Sequence, residues 1–372
     1  MPASFLSFLL ILFWPAISFA PSDYPVLQAD GAPWQFAQPR RTVVIGDVHA
    51  DPDALLAILR DRGIIDGEGN WAGGDTHLVL TGDFFDRGPD SRTVLDIVMK
   101  LSKQANAARG PTDLPGQVHA LMGNHELMVL RGDLRYTTMN ELEGYRDFQN
   151  SPKAQEILRS NFEQFPAFRA LPQRDDPKFR IAAAGMLAAL SGNTPYAEFM
   201  SKRNSIIKLG DTLYVHGGVE GWAESVGPAE INATLRAWVK AAQGEGPKPA
   251  LETSWVYRQS GPLWTRKLAR GQVPTETLAQ ILKKLGVKRI VIGHTPTNSQ
   301  EIESSYGNSV IREDTMISVA YGGKLSAVEI SAAADGTTAV HTFQAIPRPH
   351  PHSRIPILGA LCHALSFLAP RH

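Results

Sequence analysis

Five short apolar or β-branched runs, each ending at a polar cluster, recur along the chain: Thr42-Val43-Val44-Ile45, His77-Leu78-Val79-Leu80, Val118-His119-Ala120-Leu121-Met122, Thr212-Leu213-Tyr214-Val215 and Arg289-Ile290-Val291-Ile292. Runs of this length, rich in Val and Ile and bounded by glycine, are read as buried strands rather than helices. Residues 51–62 and 91–104 carry helical spacing instead, the second with Val94, Val98 and Leu101 on one face. Alternating strands and helices predict right-handed βαβ units and a mostly parallel central layer covered by helices. Toward the end, residues 326–331 and 338–345 alternate apolar and polar positions, as strands covering one face do. The expected fold class is α/β, a two-sheet sandwich flanked by helices.

The interval between Asn124 and His216 is long, and its middle is helical in character. Ala154-Gln155-Glu156-Ile157-Leu158 and residues 181–190 favour helix, with Pro166 and Pro172 as breakers. Residues 137–203 are read as an inserted helical cap, the kind of long connection that carries specificity. Arg131, Arg135, Tyr136 and Arg146 near its start are read first as exposed surface groups and second as substrate contacts.

The chemistry sits where the strands end. The runs lead into Gly46-Asp47-Val48-His49, Gly82-Asp83-Phe84-Phe85-Asp86-Arg87-Gly88, Gly123-Asn124-His125-Glu126, His216-Gly217-Gly218 and Gly293-His294-Thr295-Pro296. Open α/β sheets bind ligands beyond the carboxyl ends of their strands, so these polar tips can meet in one crevice. Asp47, His49, Asp83, Asn124, His216 and His294 offer carboxylate, amide and imidazole donors suited to Mn, Fe or Zn. Their number suits two ions about 3.5–4 Å apart sharing a carboxylate, for which Asp83 is the candidate. Read as turn caps and core hydrogen-bond partners instead, so many buried ionisable groups would be costly without a counter-charge. His125, directly after Asn124, is placed to act as a general acid, with Asp86 holding its imidazole protonated. Arg87 offers a fork for phosphate oxygens, or alternatively an ion pair to Asp86. His77 and His119 lie within strands and are read as structural.

These motifs, in this order, resemble the calcineurin-like metallophosphoesterase superfamily, and within it the phosphoprotein phosphatases, through the Asp86-Arg87 pair and the absence of a second histidine two residues after His294. The resemblance extends over residues 41–330. It implies one metal held by Asp47, His49 and Asp83, a second by Asp83, Asn124, His216 and His294, and His125 as general acid paired with Asp86. A later phosphate-gripping arginine in a Trp-x-Arg context matches Arg266 in Gly261-Pro262-Leu263-Trp264-Thr265-Arg266, which could also be a structural arginine stacked near Trp264. With residues 208–218 and Ala320-Tyr321-Gly322-Gly323, the chain looks most like the Shewanella-like protein phosphatases. Those proteins usually carry an Asp-Thr-Gly-Met-Ser type segment, whereas this chain has Asp314-Thr315-Met316-Ile317-Ser318, without the glycine.

Composition narrows the partners. With 37 basic and 37 acidic residues among 372, nothing electrostatic favours nucleic acid; a phosphorylated protein or small phosphomonoester fits. Residues 1–20 carry an apolar stretch ending in Ser18-Phe19-Ala20, read as a secretory signal peptide, with an uncleaved anchor as the alternative because no Lys or Arg precedes the apolar stretch. This predicts an exported, periplasmic or secreted protein. Its single cysteine, Cys362, leaves it without an internal disulfide, which a core of this size does not need. Residues 21–40 form a lead-in and 41–346 the catalytic domain. Residues 347–372 are a linker and an apolar tail with Leu358, Leu361, Leu365 and Leu368 on one stripe, read as a docked terminal helix or a weak membrane-surface contact. Asn232-Ala233-Thr234 matches a glycosylation acceptor, relevant only in a eukaryotic secretory pathway.

The expected activity is hydrolysis of a phosphomonoester, foremost phosphorylated Ser, Thr or Tyr, by direct attack of a metal-bridging hydroxide. A phosphodiesterase, a dinucleoside polyphosphate hydrolase and a binding module without turnover are the rivals.

Overall fold

The computed structural model describes residues 33–108, 114–244 and 254–348. The proposed signal peptide and apolar tail lie outside them. Among the described residues no helix is long and apolar enough to cross a membrane.

In chain order the elements are β1 (Gln35–Phe36), β2 (Arg41–Ile45), α1 (Pro52–Asp61), β3 (His77–Leu80), α2 (Ser91–Ala107), β4 (Gln117–Ala120) and α3 (Asn124–Leu130). Four helices follow without a strand: α4 (Met139–Glu143), α5 (Pro152–Arg159), α6 (Pro177–Ala189) and α7 (Pro195–Ser201). The chain then forms β5 (Ile206–Leu209), β6 (Thr212–Val215), α8 (Trp222–Ser225), α9 (Pro228–Ala242), α10 (Thr275–Leu285), β7 (Arg289–Ile292), β8 (Glu303–Ser305), β9 (Val310–Arg312), β10 (Leu325–Ala332) and β11 (Thr338–Ile346).

Two mixed sheets carry the strands, as the expected sandwich has it, but the five motif strands are divided between them rather than sharing one mostly parallel layer. One has the order β11-β10-β2-β3-β4, the other β1-β5-β6-β7-β9-β8. The parallel cores are β2-β3-β4 and β6-β7-β9, and antiparallel strands flank them. The reason is visible in the period of two. Val44, Val79, Tyr214 and Val291 form one cluster with Leu121, Ile207 and Ile330, drawn from both sheets, while their strand neighbours Val43, Ile45, Leu78, Leu80, Leu213, Val215, Ile290 and Ile292 belong to the larger core that includes the helices. Strands covered on both faces read as unbroken apolar runs, which is why these were prominent in the sequence.

Capping marks the helices that follow the motif strands. Asp51 accepts the Ala54 amide at 2.9 Å ahead of α1, with Pro52 at its first position, and Asp90 accepts that of Thr93 at 2.9 Å ahead of α2. Within the lead-in, Gln35–Phe36 form β1, which pairs in parallel with β5. His77 and His119 are hydrogen-bonded to each other at 3.1 Å and packed against Phe36. His77 opens β3, at the end of the strand away from Asp83, so neither histidine joins the site.

Asn232 is buried, 1% exposed, with no room for a glycan. Its Oδ1 accepts the amides of Ser205 and Ile206 at 3.0 and 3.2 Å, and its Nδ2 donates to the Ile206 carbonyl at 2.8 Å, tying α9 to β5. Asn232→Ala orphans those buried groups and is expected to cost about 2–4 kcal/mol. A lowered urea midpoint with an unchanged slope, and normal turnover per folded molecule, would record it.

Candidate active site

The ends of β2, β3, β4, β6 and β7 bring Asp47, His49, Asp83, Asn124, His216 and His294 to one place, all at most 6% exposed. The first four come from the five-stranded sheet, and His216 and His294 from the six-stranded one, so the site straddles the sandwich. Backbone must approach closely here. A Cβ on Gly123 would lie 2.1 Å from Asp83 Oδ1, and one on Gly293 2.3 Å from Asp47 Oδ1. His49, Asp83, Asp86, Arg87 and His294 all take positive φ, between 44° and 71°. Non-glycine residues in that region store strain, and five at one site are the mark of a functional constellation.

Asp83 is the hub. Its Oδ1 lies 3.3 Å from His216 Nε2, and its Oδ2 3.9 Å from Nε2 of both His49 and His125. Ligand atoms of His49, Asp83 and His125 lie within 4.8 Å of one another, as do those of Asp83, His216 and His294. Asn124 Oδ1 joins the second group, 3.0 Å from His216 Nε2. Asp47 is turned toward the His294 amide, which both its oxygens accept at 3.2 and 2.9 Å, and it lies outside the two tight triads.

Second partners set the histidine tautomers, because a carbonyl can only accept. His49 and His216 donate Nδ1–H to the carbonyls of Phe85 and Thr81, at 3.1 and 3.0 Å, so Nε2 is the nitrogen each turns toward the centre. His294 is reversed, donating Nε2–H to the Trp264 carbonyl at 3.1 Å. Burial keeps His49 (down to about 3) and His294 neutral, the form that binds metal.

Does this donor set fit two cations? Burial, together with Asp314, Asp83 and Glu313, pushes the Asp47 carboxyl well above its usual range. Burial would raise Asp83 too, but His216 and His125 hold it ionised. Glu313 and Asp314 are buried beside them and are themselves pushed up, to about 8 and about 6, chiefly by burial. Four buried carboxyls and two neutral imidazoles lie close together here, an arrangement that positive charge would stabilise. The residues fit metal ions.

His125 differs from its neighbours. Burial opposes its charge, yet Asp83 and the Asp86 carboxylate, which accepts from Nδ1 at 2.5 Å, outweigh that and raise it to about 9. A protonated imidazole cannot ligate, so its place in the first triad is that of a proton donor. Asp86 is itself held, by the Thr137 hydroxyl at 2.5 Å and through its amide by Glu141 at 2.9 Å.

Arg87 makes no ion pair with Asp86 among the contacts seen. Its guanidinium stands 4.2 Å from the Tyr136 ring centre and 5.3 Å from that of Tyr321, and its buried Nε has no partner. Arg266 donates to the His294 carbonyl at 2.7 Å and reaches Thr295 Oγ at 3.3 Å. Both arginines line one cavity of about 540 Å³ together with Asn124, His125 and His294. Arg131, Arg135 and Tyr136 line it as well, Arg135 and Tyr136 while remaining exposed as read from sequence, and Ala167 and Ala170, from the helical interval, add to its wall. Arg146 is a surface residue paired with Glu143 at 3.3 Å.

Several contributors were missed from sequence. Glu126, fully buried, accepts the amides of Asp83, Phe84 and Gly123 at 3.0, 2.6 and 2.5 Å, fixing the turn that presents Asp83. Its place in the Gly-Asn-His-Glu run was the available signal. Glu313 and Asp314 follow β9, a strand too short to stand out. Met316, at the position of the absent glycine, takes φ +59°, so the loop keeps a left-handed residue without glycine to relieve it.

The calcineurin-like phosphoesterase family model matches residues 40–298. Shewanella-like protein phosphatase 2 of Arabidopsis thaliana is 30% identical over 290 residues, covering 74% of this chain and 71% of the relative. Shewanella-like protein phosphatase 1 of Plasmodium berghei is 27% identical over 290 residues, covering 75% and 67%. Among solved structures, the cold-active protein-tyrosine phosphatase of a psychrophilic Shewanella species is similar at TM-score 0.61 and 29% identity, covering 83% of this chain and 82% of that one. A match over this span, centred on a site with paired metal-ligand geometry, places the chain in the calcineurin-like phosphoesterase family of hydrolases.

Proposed function

We propose that the protein is a dinuclear metal-dependent protein phosphatase that removes phosphate from phosphorylated Ser, Thr or Tyr side chains. The observation that carries this is the juxtaposition of Asp83, shared by two ligand groups, with the protonated His125–Asp86 pair on the wall of a cavity gripped by Arg87 and Arg266. Two bound metals, of the Mn, Fe or Zn type, would supply a water activated near neutral pH and neutralise phosphoryl charge. Asp47, His49 and Asp83 would hold one, and Asp83, Asn124, His216 and His294 the other.

The chain's own groups do the rest. Arg87, its guanidinium beside the rings of Tyr136 and Tyr321, offers a fork to the phosphoryl oxygens, and Arg266 faces them from the His294 side. His125 gives its Nε2 proton to the leaving side-chain oxygen, while Asp86 on Nδ1 stabilises the imidazolium beforehand. The names of the relatives support a phosphoprotein substrate. Export is part of this proposal and rests on residues 1–20, read as a signal peptide.

Metal-loaded protein assayed against phosphopeptides, bis(p-nitrophenyl) phosphate and diadenosine tetraphosphate should favour the phosphopeptides by kcat/KM. A preference for either diester or tetraphosphate would refute the assignment.

A further inference from the structure

The turn that carries Asp86 and Arg87 is braced from outside. Both residues take φ +71°, a costly region for side chains of their kind, so neighbouring structure has to fix them. The first residues of the helical interval do so. The Arg87 amide donates to the Tyr136 carbonyl at 2.8 Å, the Thr138 hydroxyl to the Gly88 carbonyl at 3.0 Å, and the Asp86 amide to Glu141 Oε1 at 2.9 Å. Those three bonds place backbone. A fourth, from the Thr137 hydroxyl to Asp86 Oδ1 at 2.5 Å, reaches a side chain of the site itself.

Asp86 is fully buried, so bulk water cannot stand in for a missing partner. Among the described residues its carboxylate accepts one hydrogen bond on each oxygen, from Thr137 on Oδ1 and from His125 Nδ1 on Oδ2 at 2.5 Å. The two act as opposed pins. The torsion that turns a carboxylate is soft, so a group gripped at one oxygen can swing, whereas one gripped at both is fixed. Held this way, Oδ2 sets the plane of the imidazole, whose other nitrogen, Nε2, faces the centre 3.9 Å from Asp83 Oδ2. Thr138 cannot take over, because its hydroxyl donates to Gly88 and accepts the Glu141 amide at 3.1 Å, capping α4.

We propose that Thr137 is a positioning residue for the general acid: its hydroxyl locks the Asp86 carboxylate in the orientation that aims His125 Nε2 at the leaving oxygen of the substrate. Thr137 itself does not line the cavity, so it acts through Asp86 and His125. The inference rests on the phosphatase reading of the site.

The test compares metal-loaded full chain and its variants on two small monoesters: phenyl phosphate, whose leaving oxygen needs a proton, and p-nitrophenyl phosphate, whose leaving group departs without one. Thr137→Val removes the hydroxyl at nearly constant volume. It should lower kcat about ten- to a hundredfold on phenyl phosphate and at most about threefold on p-nitrophenyl phosphate, with KM and metal content little changed. Thr137→Ser keeps the hydroxyl and should retain most of the wild-type rate on phenyl phosphate. In the His125→Asn background, Thr137→Val should lower that rate no further, since the group it aims is gone. Equal losses on both esters, a serine variant as slow as the valine one, or a loss that adds to that of His125→Asn would each overturn the inference. So would full activity of the valine variant on phenyl phosphate. Should the valine variant not fold, Thr137→Ala carries the same comparison. Wild-type protein that hydrolyses neither monoester would instead remove the phosphatase reading, and this inference with it.

Discussion

Asp83→Asn, assayed with metal in excess on a phosphopeptide, is expected to lose about a thousandfold or more in kcat, equivalent to about 4 kcal/mol of transition-state stabilisation. The substitution is nearly isosteric. Asn retains an oxygen for the His125 amide, which Asp83 Oδ1 accepts at 3.0 Å, so the turn that Glu126 holds stays in place. What disappears is the one negative charge that both ligand triads share. Metal analysis should therefore show reduced occupancy as well as reduced turnover. Normal occupancy with near-normal turnover in the folded variant would contradict the assignment of Asp83.

His125→Asn should leave metal content unchanged and lower kcat by about 10²–10⁴-fold on phosphoserine peptides, the range of a lost general acid. The loss should be smaller on p-nitrophenyl phosphate, whose leaving group departs without a proton. That dependence on leaving group separates a proton donor from a metal ligand, since a ligand's removal harms both substrates alike. The pH profile gives a second handle. The Asp83 and Asp86 carboxylates raise His125 to about 9, so its proton is present through neutral pH and is lost as pH rises past that value. Asp86→Asn removes one of the groups that hold the proton, so the alkaline limb of kcat should move to lower pH. A limb that does not move would show that it belongs to another group.

What could be read without coordinates follows from where the signal lies. β2, β3, β6 and β7 are buried on both faces and terminate at their glycine-containing motifs, so both the elements and the site residues stood out in sequence. The division of these strands between two sheets did not, because a strand covered by helix on one side and sheet on the other has the same apolar run as one between two helix layers. β5 was missed although Gly210-Asp211 joins it to β6 as a two-residue hairpin, with Gly210 at φ +54°; the flanking apolar runs were a usable signal. α10 likewise has periodic Leu278, Ile281, Leu282 and Leu285 before Gly286 at φ +63°. β8 and β9, at three residues each, are below what periodicity can resolve. In the site, ligands announced themselves through motifs, whereas Arg131 and Tyr257 meet only because two distant segments pack side by side.

The division of the site between two sheets bears on the order in which the protein is assembled. Asp83 and Asn124 belong to one sheet, His216 and His294 to the other, and the last of these lies 211 positions after the first. No local stretch of chain contains the second cation's full set, so a nascent or half-folded molecule holds that ion only weakly. Capture becomes strong once β6 and β7 have docked against their partners, and it then works as a rivet across the sandwich. Loss of the ions would thus be felt first at the seam between the sheets, and chelation should lower the melting temperature even where the secondary structure is untouched.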